Sequence, residues 1–269
     1  MMRDETAGND VVQLLTPELI RKYDVRASYF TAYPPTGVWD ETVTGQQMRD
    51  VLSRLNEVKE RAYPMSLYVH FPYCHFQCYY CQCYALVSRD DEKKKAVLQS
   101  LHDEIDLVAE TLRSNNVNVV FKEVHLGGGS PSVIGREDFA ELVQRLRKLV
   151  CIEDLTEFAI EIDPRTVDED MIRFYHHMGI NRISFGVQDF DPEVQKAVNR
   201  VQPFELVERL SHPDLRRLFK GLNFDLIYGL PKQNRESFLR TLELTNRISP
   251  DRLAVCNMVI GRTSFRTTG

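Results

Sequence analysis

The sequence predicts an α/β fold in which parallel strands, joined by helices, curve around a polar hollow. Three observations predict it. Past residue 64, six short β-type runs alternate with segments of helical period. Each run is oily on one face and polar on the other, and polar side chains, glycines and cysteines collect at the carboxyl ends of the runs.

Residues 1 to 63 differ from the rest, with a Tyr/Pro-rich stretch (YFTAYPPTGVW) and one helix near 41 to 60. They are read as an N-terminal helical and extended arm laid against the sheet. The barrel proper is placed at 64 to 258. Its first strand is SLYVH at 66 to 70, and a cysteine loop follows. Residues 93 to 113 carry Val97, Leu101, Ile105, Val108 and Leu112 at steps of three and four, one helix face. KEVHL at 122 to 126 runs into GGGSPS, and Gly135 precedes a second helix with Phe139, Leu142, Val143, Leu146 and Leu149 on one side. EFAIEI at 157 to 162 leads to a third helix bounded by Gly179. NRISF at 181 to 185 is followed by SHPDLRRLFKG, where Pro213 interrupts a helical pattern. NFDLI at 223 to 227, a last helix ending at Pro250 and RLAVC at 252 to 256 complete the series, leaving an irregular tail at 259 to 269.

Alternation of this kind implies parallel strands with right-handed crossovers, in a doubly wound sheet or in a barrel or partial barrel. Strand parity separates the two. Phe158, Ile160 and Ile162 share one face, and Glu157, Glu161 and Asp163 share the other. Val69 opposes Tyr68 and His70; Val124 and Leu126 oppose Glu123 and His125; Ile183 and Phe185 oppose Ser184 and Gln188; Phe224 and Leu226 oppose Asp225. A sheet covered on both faces would read as continuous apolar runs, and parallel sheets seldom leave a face bare to water. The polar face is therefore read as lining a hollow, with the site at the carboxyl ends of the strands.

Composition narrows the function. The chain has 269 residues, 43 % hydrophobic and 27 % charged, enough to bury a core without metal or disulfide staples. A net charge of −5 gives no basic stripe for nucleic acid. The start, MMRDETAGND, is too acidic for a signal peptide, and no run reaches the roughly 18 apolar residues of a membrane span. The expectation is a cytoplasmic, reducing setting without membrane or nucleic-acid partner, where clustered cysteines are metal ligands or redox groups.

Four of the six cysteines, Cys74, Cys78, Cys81 and Cys83, fall within "FPYCHFQCYYCQCYAL". Cys74, Cys78 and Cys81 are spaced x3 then x2, so three thiolates from one loop can converge on one metal centre. Zinc would want a fourth ligand, and the single residue between Cys81 and Cys83 disfavours both on one ion. An iron-sulfur cubane held by three thiolates keeps one iron open, with Cys83 near the centre but not closing it. Cys151 (KLVCIE) and Cys256 (LAVCN) are read as inert buried thiols. His70 and His125 face inward and are read as bonded to neighbouring strands, while His75 lies within the loop.

The triplet after the first strand resembles that of radical S-adenosylmethionine (SAM) enzymes. "YVHFPYCHFQCYYCQC", "HLGGGSPS", "EIDPRTVD", "NRISFGVQDFDPEVQKAVNR" and "FDLIYGLPKQNRESFLRTLELTNRISPDRLAV" resemble, in order, signature segments of the oxygen-independent coproporphyrinogen III oxidase (HemN-like) family. The YxHxPxC lead-in and the CxC ending are its characteristic parts. The resemblance begins near residue 20, at "RKYDVRASYFTAYP", and ends near 257.

The resemblance implies a partial (β/α)6 radical SAM barrel. It implies a 4Fe-4S cluster on Cys74, Cys78 and Cys81 and two SAM molecules, with Tyr68, Tyr80, Gly128, Gly129, Ser130, Glu161, Gln188, Arg200 and Asp225 at the matching positions. On this reading a 5'-deoxyadenosyl radical takes a hydrogen from a propionate of the porphyrinogen, which loses CO2 and an electron to become a vinyl group. Among those residues Glu161, Gln188 and Asp225 would accept bonds from ribose or ammonium groups, Arg200 would fork onto the methionyl carboxylate, Tyr80 would pack on a cofactor, and the glycines would let the main chain approach a ligand. A flavodoxin or ferredoxin as electron donor and a monomeric state are also implied. The family is longer, with a C-terminal domain that this sequence lacks, so impaired turnover is expected; the tail departs from the pattern near Val259, and Gln82 stands where a small residue is common. Two alternatives are a haem-binding or haem-delivery relative, against which Cys83 counts, and a different radical SAM reaction such as methylation.

Overall fold

The structure is a computed structural model that describes residues 16–23, 42–57 and 65–258. The chain separates into two compact units, Met1–Met48 and Arg49–Gly269. The expected arm therefore falls largely outside the described residues, as do the tail at 259 to 269, Val259 and most of RKYDVRASYFTAYP. In the first unit, α1 (Pro17–Tyr23) opens at Thr16, whose Oγ1 accepts from the Leu19 amide at 3.1 Å. Helix α2 (Gly45–Ser53) begins in the expected 41 to 60 stretch behind a reciprocal cap. The Gln47 amide donates to Thr44 Oγ1 at 3.3 Å, and Gln47 Oε1 accepts from the Thr44 amide at 2.7 Å.

The second unit is built on a sheet of six strands, all parallel. Along the chain come β1 (Met65–Phe71), the short β2 (Tyr73–Cys74) and β3 (Leu86–Val87), α3 (Asp91–Ser114), β4 (Phe121–Gly128), α4 (Arg136–Leu146) and β5 (Glu157–Ile162). There follow α5 (Glu169–His177), β6 (Arg182–Gln188), α6 (Pro192–Ala197), α7 (Phe204–Leu210), α8 (Pro213–Arg216), β7 (Gly221–Tyr228), α9 (Arg235–Ile248) and β8 (Arg252–Asn257). The sheet order is β1-β4-β5-β6-β7-β8. Strands that follow one another without reversal put every right-handed crossover on the same face, the winding of a barrel and not of a doubly wound sheet. The arrangement is the expected partial (β/α)6 barrel.

Parity decides what lies on each side. Val124, Leu126, Phe158, Ile160, Ile183, Phe185, Phe224 and Leu226 are all buried in one core with the helices, while Glu161 and Asp225 on the opposite face stay half-buried. Helix ends follow local chemistry. Asp90 caps α3, Asp168 caps α5, and Asn234 with Ser237 forms a capping box on α9. Pro213 breaks the helical run as its ring requires, starting α8 after α7 has ended.

Three expectations are corrected. Cys151 and Cys256 are exposed, not buried. Cys151 precedes a short 3-10 turn at Ile152–Asp154 and directs Sγ to Glu153 Oε2 at 3.6 Å, and Cys256 lies on β8, an end strand of the sheet with both faces largely open. His125 does bond its neighbouring strand, but His70 Nε2 meets the Tyr84 carbonyl of the cysteine loop at 3.0 Å. The parallel pairing of β2 with β3 had no sequence signal, because two-residue strands show no period. No described helix is long and apolar enough to cross a membrane.

Candidate functional site

At the carboxyl ends of the strands lies a cavity of about 280 Å³. One wall is the cysteine loop between β1 and α3, closed at its base by β2 and β3. The Leu86 amide donates to the Pro72 carbonyl at 2.7 Å and the Ser88 amide to the Cys74 carbonyl at 3.0 Å. The far side of the loop is tied to the segment after α6, where the Tyr79 amide donates to the Val198 carbonyl at 3.0 Å and Asn199 Nδ2 to the Gln77 carbonyl at 2.7 Å. These ties hold Cys74, Cys78 and Cys81 on the cavity rim, with Cys83 beside them. Burial pushes the Cys74 thiol up to about 12, and neighbouring Cys81 and Cys78 push the same way. A hydrogen bond from the Cys83 thiol lowers Cys81, against burial, and that same bond raises Cys83.

The other walls come from the strand ends. Gly128 at the end of β4 lines the cavity with Gly129 and Ser130 just after it, Glu161 is next to last in β5, Gln188 ends β6 and Asp225 lies on β7. Arg200 and Tyr80 line it too, while Tyr68 does not. Tyr68 stands on the same polar face, its ring stacked on His125 and its hydroxyl 3.3 Å from His70 Nδ1. Tyr80 rests on Val194, Val198 and Leu230.

The glycines serve the fold first. A Cβ on Gly129 would meet Pro72 C and O at 2.7 Å, and Gly128 adopts a φ of +114°. Their closeness lets the Gly129 amide donate to the Phe71 carbonyl at 2.7 Å and the Ser130 amide to Tyr73 at 2.9 Å, pinning the start of the cysteine loop. The Ser130 hydroxyl is engaged with Ser132 Oγ at 3.0 Å, which continues to Thr166 Oγ1 at 2.7 Å.

Arg200 is almost fully buried, and its fork is turned inward. Nε and Nη2 donate to the Gly186 carbonyl at 3.1 and 2.6 Å, and Nη1 to Asp163 Oδ2 at 3.3 Å and Cys78 Sγ at 3.4 Å. The fork expected to face a ligand carboxylate thus holds the protein's own acceptors. Asp225 is braced by Asn223 Nδ2 at 2.7 Å and the Ser184 hydroxyl at 3.1 Å; burial nonetheless raises its carboxyl. His125 Nε2 meets Glu161 Oε1 at 3.0 Å.

Sequence reasoning missed Arg165. It follows Pro164 in a 3-10 turn begun by Asp163, donates to both carboxylate oxygens of Asp163, and reaches Cys78 Sγ from Nη2 at 3.6 Å. The Asp-Pro-Arg sequence at the end of β5 was its only signal. What the arrangement can do is gather four thiols, the Arg200 guanidinium and several carboxylate and amide acceptors around one hollow, with Arg165 reaching one of those sulfurs. That suits a metal-sulfur centre beside a ligand bearing hydroxyl, amino and carboxylate groups.

Residues 68 to 245 match the model of the Radical SAM superfamily. The oxygen-independent coproporphyrinogen III oxidase of Pseudomonas aeruginosa is 38 % identical over 242 residues, covering 89 % of this chain and 51 % of that protein. That of Escherichia coli (strain K12) is 37 % identical over 239 residues, covering 89 % and 50 %. The solved structure of coproporphyrinogen III oxidase (HemN) from Escherichia coli, described as a radical SAM enzyme, is similar with a TM-score of 0.77 and 36 % identity over 88 % of this chain and 52 % of that one. The radical SAM methyltransferase TsrM from Kitasatospora setae shares the fold alone, at a TM-score of 0.50 and 16 % identity over 72 % and 36 % of the two chains. The chain spans about half the length of the curated relatives it matches.

Proposed function

This chain belongs to the radical SAM superfamily, and from that premise we propose that it carries out oxygen-independent oxidative decarboxylation of coproporphyrinogen III propionates to vinyl groups, using a 4Fe-4S cluster and two SAM molecules. One observation carries the reading: Cys74, Cys78 and Cys81 share one cavity with Glu161, Gln188, Arg200 and Asp225, which come from four separate segments of the chain. Relatives of 34–42 % identity bearing that activity in their names support the same substrate. The likeness to the methyltransferase extends only to the fold, so it gives methylation no weight.

The donors fit a cluster better than a single ion. Cys74, Cys78 and Cys81 line one cavity, and cysteine thiolates are the ligands that iron-sulfur clusters take. Cys74, Cys78 and Cys81 would hold such a cluster, with Cys83 beside them. When bound, the cluster and SAM would supply reductive cleavage of the sulfonium and the hydrogen-abstracting chemistry that follows.

The chain's residues then have binding and shielding roles. Glu161, Gln188 and Asp225 offer acceptors to ribose hydroxyls or an ammonium, and Gly128, Gly129 and Ser130 form the opposite wall. Tyr80, seated on its apolar cluster and lining the cavity, would keep water from the reacting centre. Tyr68, half-exposed on the polar face, is placed for the second SAM or the porphyrinogen. Arg200 acts by fixing Asp163, Gly186 and Cys78, with its cofactor contact confined to whatever donor capacity these leave. A low-potential donor such as flavodoxin or ferredoxin, a monomeric state and a cytoplasmic setting complete the proposal; six free thiols accord with that setting.

Anaerobic reconstitution with iron and sulfide, then incubation with SAM, dithionite and coproporphyrinogen III, tests the function. Vinyl products support it. Tight haem binding without product favours a haem-delivery relative, methylated product favours methylation, and zinc without sulfide ends the cluster reading.

A further inference from the structure

Arg165 has no place among the cofactor positions, yet it is bound from four directions. Its Nη2 donates to Cys78 Sγ at 3.6 Å and to Asp163 Oδ2 at 2.7 Å; Nε donates to Asp163 Oδ1 at 2.9 Å; Nη1 donates to the Asn199 carbonyl at 3.3 Å. Its guanidinium lies over the Phe76 ring, 4.8 Å from the centroid, and Arg89 lies over that ring at the same distance. The side chain is only 11 % exposed. Arg200 Nη1 reaches the same sulfur at 3.4 Å.

Two cations on one cysteine sulfur, with one carboxylate between them, exceed what packing demands. A salt bridge to Asp163 and a ring stack would seat Arg165 without a sulfur contact. Both guanidinium hydrogen bonds converge on the same sulfur, Cys78 Sγ. A charge-assisted N–H bond stabilises a sulfur in proportion to its electron density. On an iron-sulfur centre that density rises on reduction, and hydrogen bonds to the ligand sulfurs are a recognised control of potential.

We propose that Arg165 is a positioning residue that, through Cys78 Sγ, holds the cluster's reduction potential above the value the three thiolates alone would give. The inference rests on the cluster reading. It assigns Arg165 a redox role separate from SAM binding, and makes the Asp163–Arg165–Phe76 contact the device that keeps its fork on the sulfur.

The test is a potentiometric titration followed by electron paramagnetic resonance, on the anaerobically reconstituted full chain and on Arg165→Met, with iron and sulfide measured on each. The expected result is a cluster at wild-type content whose potential is more negative. The reduced-to-oxidised ratio at fixed poise should fall about tenfold, or about 59 mV for one electron. An unchanged potential at equal iron content overturns the proposal, since a merely structural residue would lower occupancy or stability without moving the potential of the loaded fraction. Should Arg165→Met fail to load, Arg165→Lys decides. Lysine keeps the charge beside Asp163 but has no fork to span carboxylate and sulfur, so a negative shift sustains the proposal and none overturns it. Wild-type protein that takes up no iron and sulfide overturns the cluster reading and this inference with it.

Discussion

Arg200 donates from Nη1 to Asp163 Oδ2 at 3.3 Å while its other two nitrogens hold the Gly186 carbonyl. Burial pushes the Asp163 carboxyl up, but Arg200 and Arg165 outweigh it and hold the group below its ordinary range. Without Arg200, Asp163 would keep only Arg165 and the Gly186 carbonyl only Gln202 Nε2, so each buried group would lose one of its partners. Arg200→Ala should therefore cost about 2 kcal/mol of stability in the ligand-free chain, read as a lower urea midpoint. An unchanged midpoint, with only SAM affinity reduced, would return Arg200 to a purely ligand-binding role.

Gly129 is where β4 meets the cysteine loop. An added methyl would meet Pro72 C and O at 2.7 Å, both main-chain atoms that no rotamer can move aside. Gly129→Ala should lower stability by about 2 kcal/mol and speed amide exchange across the loop. Gly135→Ala is the control, since its methyl meets nothing closer than 4.0 Å, and it should lose under about 1 kcal/mol. Equal losses in the two would show that the close approach carries no energy.

Much of this was legible because a strand with one buried face writes its parity into the sequence. Parity alone puts Glu161 and Asp225 on the polar face, and in the structure both line the cavity wall. The failures have equally physical causes. Cys151 and Cys256 have apolar chain neighbours, but exposure depends on what packs from other segments: one sits at a turn and the other on an end strand. Arg165 carries no periodic signal, and its meaning appears only when the fold brings together residues 87 positions apart. The inward turn of the Arg200 fork was hidden because its acceptors include a backbone carbonyl, which composition cannot single out.

Gln188 departs from strand geometry. Its φ is +67°, and the β6–β7 register shifts between Gly186 and Gln188. Asp189 beside it is buried and fixed by Thr241 Oγ1 at 2.7 Å, so the neighbouring chain holds the strained backbone in place. Gln188→Gly should raise the melting temperature, because release of about 1–3 kcal/mol of strain outweighs glycine's entropy, about 0.5–1 kcal/mol. Gln188→Ala keeps the strain and should not rise. Both should lose SAM affinity alike; a lower melting temperature for Gln188→Gly would mean that the backbone is unstrained.

The His125–Glu161 contact predicts a pH dependence of stability. Nε2 stands 3.0 Å from Glu161 Oε1, and this hydrogen bond raises the imidazole above its ordinary 6.5, with burial opposing and the charges of Glu161, Glu157 and Asp225 assisting. A group whose folded value is raised binds its proton more tightly in the native state, so its contribution is complete below 6.5 and is lost as pH rises through the folded value. The stability difference between wild type and His125→Gln should be largest on the acid side and shrink on the alkaline side. Thermal unfolding from about pH 5.5 to 8.5 spans the change. Glu161→Gln should abolish most of the dependence, because it removes the bond and the nearest charge together. A difference that grew with rising pH would mean that the folded chain holds His125 neutral, and would overturn the charged His125–Glu161 pair.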